Sequence, residues 1–217
     1  MPRTRSPKPP PATTVLLVRH GVTPSTGAKL PGRAPGLHLS DAGQGQAQAA
    51  ASRIAKLDGV TAVYASPLER TRETAAPIAR AVGGRVRIER GLLECDFGDW
   101  TGGELKKLAR LPEWRTVQRY PSGFRFPGGE SFTEMQTRMT ATLAKLVDRH
   151  RGETIVAVSH ADPIKAALAD ALGTHLDLFQ RIVVSPCSIS VVHYGQGGPV
   201  VLAANSTGDD LSTLGLS

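Results

Sequence analysis

The feature that most constrains this chain is a set of short apolar runs in which polar residues do not alternate. Val15-Leu16-Leu17-Val18 is the clearest, and the segments TIVAVS (154–159) and VTAVYA (60–65) resemble it. A strand that is apolar at nearly every position has no face to offer water, so such runs belong to a sheet covered on both sides, the habit of parallel sheets. Helical patterns separate the runs. Gln44 to Leu57 places Ala47, Ala50, Ile54 and Leu57 at helical spacing. Ser66-Pro67-Leu68-Glu69 predicts a helix start, with Ser66 as the cap, Pro67 at the first helical position and Glu69 closing a capping box. That helix should run to about Val82 and stop at Gly83-Gly84. Ser131-Phe132-Thr133-Glu134 is a second capping box, opening a helix with Phe132, Met135, Met139, Leu143 and Leu146 on one face. Asp162-Pro163 opens another, ending near Gly173. Residues 86–88 read as a further short strand, and 189–194 and 200–204 as two late ones. Strands alternating with helices predict an α/β fold: a three-layer sandwich with a mostly parallel central sheet flanked by helices.

The length of 217 residues suits one domain. Residues 1–13 read as a flexible, basic, Pro-rich tail and 14–217 as the domain. Within it, residues 95–130, rich in Gly, Pro and aromatics, read as an inserted lid over a site. Lys plus Arg exceed Asp plus Glu by 26 to 19, a formal charge of +7. Part of this excess lies in the tail, at Arg3, Arg5 and Lys8, and the other arginines are scattered. No basic helix face is interleaved with aromatics, so nucleic acid is not the expected partner. No apolar run reaches the ~20 residues needed to span a bilayer, so a membrane is not expected either. The start lacks the apolar core of a secretory signal. Two cysteines are too few for a disulfide framework, and a reducing cytoplasm is the expected location.

In open parallel sheets, sites form beyond the carboxyl ends of the strands. There the first run ends in Arg19-His20-Gly21 and the later one in Ser159-His160-Ala161. The strand ending before Ser66 launches a helix carrying Arg70, and Glu94 follows the third strand. Two histidines, two arginines and a carboxylate suit phosphoryl transfer. Imidazole can attack phosphorus, guanidinium forks bind phosphate oxygens in pairs, and a carboxylic acid can protonate a leaving alkoxide. Each residue also has an ordinary structural reading: a hydrogen-bonded strand-end histidine, a surface ion-pairing arginine, a solvated loop acid.

The segment Leu17-Val18-Arg19-His20-Gly21-Val22-Thr23 resembles the RHG signature of the histidine phosphatase superfamily, in the branch containing cofactor-dependent phosphoglycerate mutase. The resemblance continues through Ser66-Pro67-Leu68-Glu69-Arg70-Thr71, Leu93-Glu94, Phe97-Gly98-Asp99-Trp100, Gly128-Gly129-Glu130-Ser131, Val158-Ser159-His160 and Asn205, covering roughly residues 14 to 211. It implies a phosphoglycerate mutase-like fold and a set of roles. His20 would be the nucleophile, neutral at the attacking nitrogen and held at the other by an acceptor. Arg19 and Arg70 would clamp the phosphate, His160 would add an imidazolium donor, and Glu94 would be the acid. Thr23 would supply a hydroxyl at the rim, and Thr26 and Ala161 complete the candidate set. No metal or other cofactor is implied, because the arginines supply the positive charge. The expected partner is a small phosphate monoester. Many relatives dimerise, so a homodimer is compatible with the resemblance.

The sequence also departs from the family pattern. Val22 and Thr26 stand where the RHG signature has Glu and Asn. Phe97 and Leu105 stand where mutases carry Tyr and Lys, and no Arg-Arg dipeptide exists to hold a mutase's substrate carboxylate. These departures favour a phosphatase, with water as acceptor, over a mutase-like phosphotransferase; a non-catalytic phosphate-binding module is the other alternative. Glu130 and Ser131 stay open between facing substrate and shaping a loop, as do the lid aromatics Trp100, Trp114, Tyr120, Phe124 and Phe126 and the lid arginines Arg115, Arg119 and Arg125. Cys95 reads as an oxidation-sensitive loop thiol.

Overall fold

The computed structural model describes residues 11–208. Most of the expected basic tail therefore lies outside the described residues. The chain alternates strands and helices: β1 (Thr13–Arg19), α1 (Asp41–Ile54), β2 (Val60–Ala65), α2 (Glu69–Ala81), β3 (Val86–Ile88), the short helices α3 (Leu105–Leu108) and α4 (Trp114–Arg119), α5 (Phe132–Arg149), β4 (Thr154–Ser159), α6 (Ala161–Ala171), β5 (Ile189–Gly195) and β6 (Gly198–Ser206). One six-stranded sheet has the order β3-β2-β4-β1-β5-β6. The first four strands of that order run parallel, and β5 and β6 are antiparallel.

Alternate residues of each strand face opposite ways, and both faces are covered. Val15, Leu17, Ala62, Tyr64, Ile155 and Ala157 pack against Met139, Leu143 and Leu146 of α5 and Ile164, Ala167 and Leu168 of α6. Leu16, Val18, Val63, Ala65, Val156 and Val158 pack against α1 and α2 through Ala51, Ile54, Ala75 and Ile78. This is the three-layer sandwich that the apolar runs predict. The Ser131 capping box forms in full, with Ser131 Oγ accepting from the Glu134 amide and the Glu134 carboxylate accepting from the Ser131 amide. Each side chain of the α5 stripe that leaves water contributes about 1.5–3 kcal/mol relative to exposure.

The expected cap at Ser66 does not form. α2 begins at Glu69 with Leu68 at the N-cap and no side-chain cap bond. The Ser66 hydroxyl is within 2.9 Å of a buried histidine nitrogen, whose alternative is to lie unsatisfied away from water. Residues 95–130 fold on a cluster of their own. Phe97, Trp100, Phe124 and Phe126 pack edge-on or tilted against one another and onto Phe132 and Phe179. Among the described residues no helix is long and apolar enough to cross a membrane.

Candidate functional site

Three parallel strands end in step, and this register builds the site. Arg19 pairs with Ser159 and Ala65 with Val158. The residues just beyond, His20, His160 and Ser66, therefore leave one edge of the sheet together. The His20 amide donates to the Ser159 carbonyl at 3.0 Å. The two imidazoles meet edge to face with centroids 5.3 Å apart. His20 Nδ1 lies 2.8 Å from the Gly21 carbonyl, which can only accept, so Nδ1 carries the proton and Nε2 keeps its lone pair. Burial, then the nearby guanidiniums of Arg70 and Arg19, lowers the His20 pKa to about 3. The loop after His20 is set by backbone contact with the start of α1. A Cβ on Gly43 would stand 2.1 Å from the Val22 carbonyl oxygen, and one on Gly21 2.6 Å from that of Gly43. The Gly21 amide donates to Thr74 Oγ1 of α2 at 3.1 Å.

Around the ring stand buried nitrogens that have no hydrogen-bond partner among the described residues. Arg70, on α2, is wholly buried; its Nη2 donates to the Gly32 carbonyl at 2.7 Å, while Nε and Nη1 have no partner. Arg19 donates from Nη1 to the Val184 carbonyl at 2.7 Å and leaves Nε unpartnered. His160 Nε2 meets Ser66 Oγ at 2.9 Å, and its buried Nδ1 has no hydrogen-bond partner. Protein interiors rarely tolerate such groups, and four in one place can receive the oxygens of an anion. His160 departs from the expected imidazolium. Burial and the facing charge of Arg70 hold its pKa well below that of a free histidine. Its place at the N-cap of α6 adds to the effect, because the helix's positive end disfavours a cation.

Glu94 faces this cluster, with Oε2 3.9 Å from His160 Nδ1 and Oε1 accepting from the Cys95 amide at 3.0 Å. Burial, reinforced by Asp162 and opposed by Arg70, raises its pKa to about 7. Its backbone is clasped by two arginines absent from the sequence-based candidates. Arg33 Nε donates to the Glu94 carbonyl at 2.8 Å, and Arg138 donates to the carbonyls of Gly91, Leu93 and Glu94. Glu130 joins both arginines at 2.9 Å and so is a strut behind the acid, with no free oxygen turned to a substrate. Glu130 belongs to the Gly128-Gly129-Glu130-Ser131 segment of the resemblance, but nothing in the spacing of Arg33 and Arg138 links them to it.

A cavity of about 320 Å³ opens here, with Arg19, His20, Thr23, Thr26, Glu94 and Ala161 in its lining. Thr26 Oγ1 accepts from the Thr23 amide at 2.9 Å and lies 3.0 Å from Thr23 Oγ1, so it shapes the turn after the RHG segment. Phe97, Leu105 and Trp114 line the apolar side, and Lys29, Asp162, Lys165 and Gln180 the polar side. Most lid aromatics pack the lid itself; Tyr120 is exposed. Arg115 and Arg119 are exposed, and Arg125 pairs with Glu134 on the surface, so the lid's cations lie outside the cavity lining. Cys95 is fully buried, and burial followed by the Glu94 charge lifts its thiol far above the usual range, which removes the expected oxidation sensitivity. His38, His150, His175 and His193 are engaged with Glu73, Tyr64 and Glu153, Asp177, and Thr14 respectively.

An α/β sandwich with an uncharged histidine set among unpartnered cationic donors is a phosphate-handling protein by its chemistry. The sequence matches the histidine phosphatase superfamily (branch 1) over residues 15–207, and the chain belongs to that family. It is similar to a bifunctional protein of Mycobacterium tuberculosis, 35% identical over 200 residues covering 90% of this chain and 54% of that protein. The chain thus spans about half the length of that relative. Phosphoserine phosphatase 1 of Hydrogenobacter thermophilus is 32% identical over 198 residues, covering 89% of this chain and 92% of its own. The solved phosphoserine phosphatase of Entamoeba histolytica, in complex with 3-phosphoglyceric acid, superposes with a TM-score of 0.81 at 26% identity, over 90% of this chain and 98% of that one.

Proposed function

We propose that this chain hydrolyses small phosphate monoesters through a phosphohistidine on His20. The observation that carries the reading is the set of four buried, unpartnered nitrogens beside an imidazole that keeps its Nε2 lone pair. Arg19 Nε, Arg70 Nε and Nη1, and His160 Nδ1 bind the phosphoryl oxygens and stabilise their charge as the transition state forms. The Nε2 lone pair of His20 forms the bond to phosphorus while the bond to the ester oxygen breaks. That oxygen takes the Glu94 proton and leaves as an alcohol. The Glu94 carboxylate then accepts a proton from water, the resulting hydroxide attacks phosphorus, and the phosphorus–nitrogen bond returns its electrons to His20. Thr23 and Thr26 shape the rim, and Ala161 opens α6 beneath it.

Water as the acceptor is supported by Phe97 and Leu105, which give the leaving-group side an apolar wall where a mutase needs polar contacts. The phosphoserine phosphatases among its relatives support a small, charged alcohol as leaving group. A cytoplasmic location is supported by two buried, unpaired cysteines. The test is phosphate release from a panel of monoesters in the presence of EDTA, beside a His20→Ala control. Release that survives EDTA and disappears in the control supports the reading. Phosphate that moves to a second hydroxyl without release means a mutase, and binding without either means a recognition module.

A further inference from the structure

The polar wall of the cavity holds a lysine that the chemistry above does not use. Lys165 stands on the second turn of α6, about 7.5 Å of helix rise beyond His160. Its side chain leans back toward the helix N-terminus, as long helical side chains do. The ammonium donates to Gln180 Oε1 at 3.0 Å and to Asp162 Oδ1 at a long 3.4 Å. It lies 5.9 Å from the centre of the Phe179 ring, which is fully buried. The side chain is 17% exposed, and what it exposes lines the cavity that contains His20 and Glu94. Three contacts hold the ammonium in place, and one of its three N–H bonds has no partner among the described residues. An immobilised cation has already lost the side-chain entropy that a flexible surface lysine would lose on binding.

We infer that Lys165 is the anchor for a carboxylate on the leaving group, so that the preferred substrates are phosphate esters of short hydroxy acids. The inference rests on the reading that phosphate sits between Arg19, Arg70 and His160, and it adds the group that would select among monoesters. Lys165, His20 and Glu94 line one cavity of about 320 Å³, so the far end of a short leaving group lies within the same cavity as the ammonium. The neighbouring Asp162 carboxylate makes the wall suit one negative charge better than two, which favours a carboxylate over a second phosphate. Leu105 and Trp114 are apolar, and the other lysine of the lining, Lys29, stands on the loop between β1 and α1, away from the Gln180 and Asp162 contacts that fix Lys165.

The experiment measures binding by titration calorimetry to the His20→Ala protein, which cannot turn over ligand. The two ligands are 3-phosphoglycerate and glycerol 3-phosphate, which differ by a carboxylate in place of a hydroxymethyl group. 3-Phosphoglycerate is expected to bind at least tenfold more tightly. That ratio should collapse toward one in the Lys165→Met background and survive in Lys165→Arg, which keeps the charge and guards against a folding defect. A ratio near one before Lys165 is changed would overturn the inference, as would a ratio that Lys165→Met leaves intact. Tighter binding of propane-1,3-diyl bisphosphate than of 3-phosphoglycerate would overturn the carboxylate assignment. Failure of the hydrolase reading itself shows separately, as no phosphate released from p-nitrophenyl phosphate by the unaltered chain.

Discussion

Glu94 holds its proton near neutrality because it is buried and faces Asp162, against the pull of Arg70. Its pKa of about 7 makes it competent as an acid below that pH, and competence is lost as pH rises through it. His20, with its pKa near 3, is uncharged everywhere above that value, as the proposed nucleophile must be. Turnover of alkyl phosphates should therefore stay high in mildly acid solution and fall above about pH 7. Glu94→Gln should remove that alkaline limb and cost about 10²–10⁴-fold in kcat on alkyl phosphates. On p-nitrophenyl phosphate the loss should be far smaller, because nitrophenolate leaves without a proton. Equal losses on both substrates would take Glu94 out of the acid role. Ser66 is the second residue worth changing. If its hydroxyl donates to His160 Nε2, the proton of His160 sits on Nδ1, 3.9 Å from Glu94 Oε2. Ser66→Ala should shift the ¹⁵N signals of His160 away from the Nδ1–H tautomer and lower kcat/KM by roughly tenfold, the size of one hydrogen bond. Unchanged ¹⁵N signals would assign Ser66 a packing role only. His20, His160, Arg19, Arg70 and Glu94 are legible because they stand in motifs at strand ends or in the segments that follow them. Ser66 was misread because its local context spells a cap, and local spelling cannot show that a tertiary partner will claim the hydroxyl. Arg33, Arg138 and Lys165 carry no motif at all.

The elements matter through where they begin. The start of α1 touches the RHG loop backbone to backbone at Gly43, and α5 carries Arg138 to the back of Glu94. Gly43→Ala should force the loop after His20 away from α1. It should destabilise the fold by about 1–3 kcal/mol, as overpacking does, and reduce activity in the same protein; denaturant titration and kcat/KM read the two effects. A fully stable, fully active Gly43→Ala protein would show that the contact yields freely. Ser131→Ala removes one half of a capping box and should cost about 1 kcal/mol in the same titration. The long elements were legible from periodicity, α5 down to its first turn. The helices α3 and α4, of four and six residues, were not, because so few turns give no repeat to read. The lid's inner organisation was open for a similar reason: an aromatic-rich loop reads equally well as a binding surface and as a small core, and only packing decides.

At the scale of the molecule, strand alternation predicted the layers but not the order of the sheet, since apolar runs say that a strand is buried and not beside which neighbour. The order matters because β1 lies next to β4, which brings two histidines from distant segments to one edge. Gathering uncharged imidazoles and unpartnered arginines at that edge leaves a signature in stability. His20 and His160 have folded pKa values below their unfolded value near 6.5, so their contribution is complete above that pH and is lost as pH falls below it. Glu94 acts oppositely: its raised value favours the fold below about pH 4.5, and that contribution is lost as pH rises toward 7. Between pH 5 and 6.5 the two buried histidines outweigh Glu94 and the exposed His38, whose pKa its hydrogen bond to Glu73 raises, so Tm should rise with pH across this window. His20→Ala should roughly cancel the slope, leaving one histidine against Glu94. Orthophosphate or vanadate, which engages the unpartnered donors of the folded state alone, should stabilise the fold by about 2.7 kcal/mol at a hundredfold excess over Kd, so that Tm climbs with the logarithm of its concentration. A Tm that is flat from pH 5 to 6.5 and indifferent to either anion would mean that the buried donors are not an anion site. The functional reading would then lose its physical basis.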